Sequence, residues 1–175
     1  MSREDDNLII RKARPEDAEE IVAYLNAAGG ESDNLLFGKN EFRLNAEQES
    51  AYIADINQKE TSVMLVGLME GEIISVGIIS SPARPRIAHA ADLSISVRKA
   101  WWNRGIGGRI LEELLGFARG NGVTRLVQLS VRTDNLGAVK IYRRAGFEEV
   151  GTIRGSTRIG DAYFDTLLMC LYLKE

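Results

Sequence analysis

Between Asp92 and Ala118 the chain passes from a strict two-residue alternation, through three glycines in four positions, into a helical repeat. Asp92, Ser94 and Ser96 alternate with Leu93, Ile95 and Val97, the pattern of a strand with one polar and one apolar face. Ile110, Leu111, Leu114, Leu115 and Ala118 then recur at helical spacing, and Gly120-Asn121-Gly122 closes the helix. Between the two lies Gly105-Ile106-Gly107-Gly108. A strand that turns through glycines into a helix presents unpaired backbone N–H groups at the positive end of the helix dipole, a site suited to phosphate or pyrophosphate. Such a unit requires a sheet with a helix laid on it, which restricts the chain to the α/β class.

The common phosphate signatures do not fit this stretch. A P-loop needs a Lys followed by Ser or Thr after its last glycine, and none follows here. A dinucleotide fingerprint counted from Gly105 meets Ile110 where its third glycine belongs, and no acid ends the next strand, Leu126-Val-Gln-Leu-Ser. Taken alone, the motif reads equally well as glycines used for tight turning and helix–sheet packing.

The remaining periodicity supplies the frame. A strand over 8–13 ends at Arg14-Pro15-Glu16-Asp17, where Pro and acids favour a helix start. The helix that follows carries Ala18, Ile21, Val22 and Leu25 on one face and is expected to stop at Gly29-Gly30. An irregular, lid-like connection over 31–45 leads to a second helix near 46–56, and Glu70-Gly71 joins a hairpin of 61–69 and 72–80. Further strands are expected over 86–97, 124–131, from Gly146-Phe147 onward and over 163–173, with a helix over 134–145. The order β-α-α-β-β-β-α-β-α-β-β predicts a mixed sheet with helices on its faces. With 175 residues and 45% hydrophobic side chains, one domain spanning 1–175 accommodates all of it.

Charge and cysteine content bound the setting. Residues 1–100 carry 17 acids against 11 bases and residues 101–175 carry 11 bases against 8 acids, which suggests one cationic and one anionic ligand, or an ordinary mixed surface. Cys170, the single cysteine, lies in the run Leu167-Leu-Met-Cys-Leu, cannot form an internal disulfide and is expected to be a buried structural thiol in a reducing compartment. No apolar run approaches the roughly 20 residues of a membrane span, and residues 1–6 are too acidic for a signal peptide, so a cytoplasmic protein is expected. Neither membrane nor nucleic acid is expected as a partner.

Two spaced patterns, Val97-x4-Trp102-x2-Gly105-x-Gly107 and Val131-x3-Asn135-x2-Ala138-x3-Tyr142-x3-Gly146-Phe147, together resemble the GNAT superfamily of N-acetyltransferases, whose element order fits residues 8–173. One position departs from the pattern: Trp102 stands where Arg or Gln is usual. The resemblance implies a mostly antiparallel sheet of about seven strands with a V-shaped splay, flanked by about four helices. It also implies acetyl-CoA as co-substrate, with no metal. The pyrophosphate is expected on the 104–109 loop (Arg104, Gly105, Ile106, Gly107, Gly108, Arg109) with Asn103, and the pantetheine arm along Ile95, Ser96 and Val97 as an added pseudo-strand. Lys140, with Arg143 and Arg144, is expected to supply phosphate charge, and Asn135 a pantetheine contact, Asp134 being the more natural cap of its helix.

For the chemistry, the resemblance gives Tyr142 the task of protonating the departing thiolate; a phenol of reference pKa about 10 is protonated at neutral pH. Asp92 stands where relatives carry a Glu and, one methylene shorter, is expected to act as base through water. His89, on the opposite face by alternation, is the alternative. Glu31, Asp33, Glu41, Asp161 and Asp165 suit either a cationic amine or a solvated loop. Gly146-Phe-Glu-Glu-Val-Gly followed by Tyr163-x-Asp165 looks like the branch holding ribosomal-protein, polyamine and small-molecule acetyltransferases. The implied reaction is direct acetyl transfer, in a ternary complex, to a primary amine of a small molecule or protein N-terminus. A catalytically silent acyl-CoA-binding sensor is the alternative, and a homodimer is common in the family.

Overall fold

The computed structural model describes residues 7–173. The acidic stretch 1–6 read above lies outside them. One seven-stranded sheet runs in the order β1-β2-β3-β4-β5-β7-β6. Its strands are β1 Ile9–Lys12, β2 Val63–Met69, β3 Glu72–Ser80, β4 Ala90–Val97, β5 Leu126–Arg132, β6 Glu148–Ile159 and β7 Ala162–Tyr172. Every neighbouring pair is antiparallel except β4 and β5. Four α-helices flank it: α1 Ala18–Glu31, α2 Ala46–Asn57, α3 Ile106–Gly120 and α4 Leu136–Arg144. No helix among the described residues is long and apolar enough to cross a membrane.

Helices cover both faces of the central strands, so β2 is buried along almost its whole length. On one face Leu65, Ile79 and Leu93 meet Ile110, Leu111 and Leu114 of α3 and Val139 and Tyr142 of α4. On the other, Met64, Val66 and Val76 meet Ile21, Tyr24 and Ala28 of α1 and Ile53 and Ile56 of α2. The seating of α3 depends on a missing side chain. A Cβ on Gly77 of β3 would lie 2.5 Å from Ile110 Cγ2 and 2.9 Å from Leu114 Cδ1, and both neighbours are fully buried. Gly77→Ala is therefore expected to cost about 1–3 kcal/mol by overpacking, read as a lower urea midpoint at unchanged m-value.

Several expected boundaries move. Gly29 and Gly30 do not stop α1, which runs on to Glu31 and ends at the extended Ser32. Their purpose is close approach: a Cβ on Gly29 would lie 2.6 Å from the Gly38 carbonyl oxygen, and one on Gly30 2.8 Å from Lys39 Cβ. The glycines thus seat the 32–45 connection against the helix. At β4, residues 86–89 form a turn instead of strand, closed by Ile87 N–H to Arg84 O and Ala90 N–H to Ile87 O. Helix α4 begins at Leu136, not at residue 134. Helix α2 starts where Asn45 and Gln48 exchange side-chain and backbone hydrogen bonds of 2.9 and 3.0 Å, a reciprocal cap.

Candidate active site

The sheet opens at its middle. β4 and β5 pair in parallel only through Ala90↔Leu126, Ala91↔Val127 and Asp92↔Gln128. Beyond that row β4 stays with β3 as far as Val97, and β5 stays with β7 as far as Arg132. The two strands diverge as a V, and from Leu93 onward one flank of β4 has no strand beside it, leaving main-chain groups to be satisfied by something other than the sheet. At the apex Gln128 Nε2 donates to Asp92 Oδ1 at 2.9 Å, and Asp92 is otherwise exposed.

β4 delivers the chain into the glycine turn. Trp102 ties that turn back to the strand, its indole Nε1–H donating to the Val97 carbonyl at 2.7 Å. That bond gives the departure from Arg or Gln a structural content. Arg104 lies over the Trp101 ring at 4.8 Å. Asn103 and Gly105 take left-handed φ of 61° and 79°, and a Cβ on Gly105 would meet no atom within 4 Å, so conformation and not space selects glycine there. A Cβ on Gly108 would likewise meet nothing. Helix α3 has neither a side-chain cap nor an acid in its first turn, so its leading N–H groups and the positive end of its dipole face outward. Ile106 is 3% exposed and offers only its backbone. Arg109 extends its guanidinium to the Leu8 carbonyl at 3.5 Å, toward the start of β1.

Helix α4 stands beside this turn, Ile141 lying 3.6 Å from where a Gly107 Cβ would be. Its cap corrects the expectation: Asn135 Oδ1 accepts from Ala138 N–H at 3.3 Å, while Asp134 is taken by Arg132 at 2.6 and 2.9 Å. Lys140 is exposed on the same helix. Tyr142 is 7% exposed and its ring packs on Phe147 with centroids 5.6 Å apart. Burial pushes its phenol up to about 12. No group among the described residues bonds the Tyr142 hydroxyl, and none of their buried side-chain oxygens lacks a partner, so the hydroxyl opens to solvent.

A V-shaped splay beside a glycine-turned helix is the geometry the sequence resemblance implies, and comparison with known proteins agrees. The chain matches the acetyltransferase (GNAT) family over residues 32–147. It belongs to that family. Among solved structures, an acetyltransferase of the GNAT family from Streptococcus pneumoniae superimposes with a TM-score of 0.92 at 31% identity, covering 95% of this chain and 99% of that one. Two curated relatives are the L-amino acid N-acetyltransferase AaaT of Escherichia coli, 30% identical over 60% of this chain, and the N-alpha-acetyltransferase RimI of Mycobacterium tuberculosis, 49% identical over 40%. These matches span 65% and 43% of the two relatives' own lengths.

Of the acids named from sequence, all but Asp33 have their carboxylates engaged by neighbours. Glu31 accepts from Arg98 Nε and Lys99 N–H, each at 2.7 Å; burial raises its carboxyl, but these partners outweigh burial and hold it below the ordinary value. Glu41 accepts from Gly38 N–H at 2.8 Å, Asp165 from Gly155 N–H at 2.9 Å, and Asp161 sits 3.5 Å from Arg158. Asp33 gives its carbonyl to Arg132 at 2.8 Å. His89 lies in the turn before β4, outside the alternation, where its carbonyl accepts from Arg125 and Leu126. Ser96 is covered by α1, its Oγ 3.0 Å from the Tyr24 hydroxyl. Cys170 is half-buried instead of buried, opposite Gln128 on β5, and burial raises its thiol, which makes it a poor nucleophile. The sequence reading overlooked Glu49 of α2, a carboxylate 2% exposed. Its signal was positional: it stands four residues before the buried Ile53, on the apolar face of the helix.

Proposed function

We propose that this chain transfers the acetyl group of acetyl-CoA to a primary amine by direct attack in a ternary complex. What supports this most is one convergence: the uncapped start of α3 follows the strand whose flank is unpaired, and α4, which carries Tyr142, stands beside that start. The pyrophosphate rests on the N–H groups of Ile106, Gly107 and Gly108, with Arg104 and Lys140 adding charge. Ile95 carries the main pantetheine contact, because the Ser96 carbonyl already accepts from Ser75 Oγ at 2.8 Å and that of Val97 from Trp102. Asn135 keeps its amide N–H groups for the same arm while its oxygen caps α4.

In the reaction the amine nitrogen bonds to the thioester carbonyl carbon, an N–H near Ile95 steadies the oxyanion, and the carbon–sulfur bond breaks as Tyr142 gives its proton to sulfur. A phenol raised to about 12 stays protonated throughout the neutral range. It therefore always holds the proton that it passes to the departing sulfur, and it regains one from the amine by way of water. Asp92 relays the acceptor's proton through water. The named relatives act on amino acids and on N-terminal α-amines, and we take an α-amine as the acceptor class. With a reference pKa near 8, about a tenth of such amines are neutral at pH 7. Asp92→Asn is accordingly expected to lower kcat/KM by only about tenfold at pH 7, with the deficit shrinking as pH rises past the amine's own pKa. The cytoplasm and a homodimer belong to the same reading.

The test is to incubate the protein with acetyl-CoA and a panel of free amino acids, alanine-initiated peptides and polyamines, following thiol release. Turnover with an α-amine supports the proposal. Acetyl-CoA binding with no turnover on any amine would identify a silent acyl-CoA sensor instead.

A further inference from the structure

Glu49 is a buried carboxylate that the chemistry above leaves unused. It is 2% exposed, and no hydrogen bond or ion pair joins its carboxylate to any described residue. Since no buried side-chain oxygen among the described residues lacks a partner, the little exposure Glu49 retains is at its carboxylate oxygens. The side chain is sunk in protein while its charged end faces a narrow opening. Burial raises its carboxyl above the ordinary value, with no partner pulling it back. An ionised group held this way is costly unless a cation meets it.

The topology says where that opening lies. Helix α1 crosses the sheet from β1, where Arg11 forks onto Asp17 at 2.6 and 2.8 Å, to β4, where Tyr24 meets Ser96 and Glu31 meets Arg98. Helix α2 runs back the other way. Its lead-in lies beside late α1 (Phe42 N–H to Asn26 Oδ1, 3.2 Å) and its end lies over the end of β1 (Asn57 Nδ2 to Ala13 O, 3.1 Å). Ala13 bonds Met64, and Met64, Ile78 and Ser94 then form one row across β2, β3 and β4. From Asn57 back to Glu49 is eight residues, a rise of about 12 Å, which carries Glu49 away from β1 to the end of α2 that lies beside late α1, the part of α1 that meets β4. Met64 and Ile78 belong to the core beneath α1 and α2, so Ser94 and, two residues before it, Asp92 turn their side chains to the same side.

We propose that Glu49 is the counter-ion that receives the acceptor as an ammonium ion, over the polar floor formed by Ser94 and Asp92 at the mouth of the V. The inference rests on the acetyl-transfer reading and adds a substrate requirement to it: the acceptor must carry its positive charge into the cleft. Glu49 binds and orients the ammonium, and the proton is lost afterwards toward Asp92 through water. Glu41 on the 32–45 connection and Asp161 and Asp165 on the β6–β7 hairpin are held by their own neighbours.

The test is Glu49→Gln and Glu49→Asp in the full chain, assayed by thiol release with acetyl-CoA and, in turn, spermidine, an alanine-initiated peptide and L-phenylalanine. For whichever probe the unmodified protein uses, Glu49→Gln is expected to raise the amine KM at least tenfold. The acetyl-CoA KM should stay within about twofold, and the melting temperature should not fall, because an unpaired buried charge has been removed. Glu49→Asp should recover part of the loss. Unchanged amine KM in Glu49→Gln would overturn the inference while leaving acetyl transfer intact. A lowered melting temperature, or an equal rise in both KM values, would also overturn it by showing that the carboxylate supports the fold. Failure of the unmodified protein to turn over any probe would overturn the acetyl-transfer reading and this inference with it.

Discussion

Tyr142→Phe is expected to lower kcat by about 100-fold or more while leaving acetyl-CoA affinity within about twofold. The substitution keeps the ring that packs on Phe147 and fills the core beside Val139, so the fold has little to lose. Only the hydroxyl goes, and no group among the described residues bonds it. Its role is confined to the moment when sulfur acquires charge, which is why kcat and kcat/KM should fall together and the KM for acetyl-CoA should not rise. The pH profile adds a second reading. A phenol at about 12 keeps its proton across the assay range, so the unmodified enzyme should show no loss of rate assignable to Tyr142 below about pH 10. Steady-state kinetics with calorimetric titration of acetyl-CoA measures both. A fully active Tyr142→Phe variant would remove Tyr142 from the mechanism.

Gly108→Asp is the second large effect, and it falls on binding. A Cβ at Gly108 would touch no protein atom within 4 Å, and its φ is not left-handed, so an Asp fits without strain. An acid in the first turn of a helix even favours the helix by about 0.3–1 kcal/mol. The same charge placed on the proposed pyrophosphate seat repels the ligand and neutralises the dipole that holds it. The expected loss is about 100-fold in acetyl-CoA affinity, close to 3 kcal/mol, with thermal stability unchanged or raised. Gly108→Ala should bind acetyl-CoA nearly as well as the unmodified chain. A Gly108→Asp variant with normal affinity would place the pyrophosphate somewhere other than the start of α3.

How much of this was legible in the chain depended on whether the signal was local. The alternation through Asp92–Val97 and the helical repeat after Gly108 gave β4 and α3, because burial on one face imposes its period on the residues themselves. The reading of Gly29-Gly30 failed because glycine has two uses. It ends helices, and it also lets another backbone come close, and only the fold brings Gly38 and Lys39 onto that helix. Asn135 and Asp134 were interchanged as caps for a similar reason: Arg132 competes for Asp134 and leaves the cap to its neighbour. Trp102 was a departure from a motif until its bond to Val97 was visible. Glu31 and Glu41 looked available for a cation because their partners, a distant arginine and backbone N–H groups, are not revealed by sequence spacing. Glu49 was overlooked because it sits inside an ordinary helical stretch whose buried face is defined by packing against the sheet.

The central claim is that the start of α3 holds the pyrophosphate of acetyl-CoA. The most direct measurement follows the backbone amide resonances of Ile106, Gly107 and Gly108 during separate titrations with coenzyme A and with pantetheine, which lacks the pyrophosphate. All three amides should shift with coenzyme A and saturate at one dissociation constant, while pantetheine leaves them unmoved and shifts Ile95. Unperturbed resonances at 106–108 under saturating coenzyme A would contradict the account.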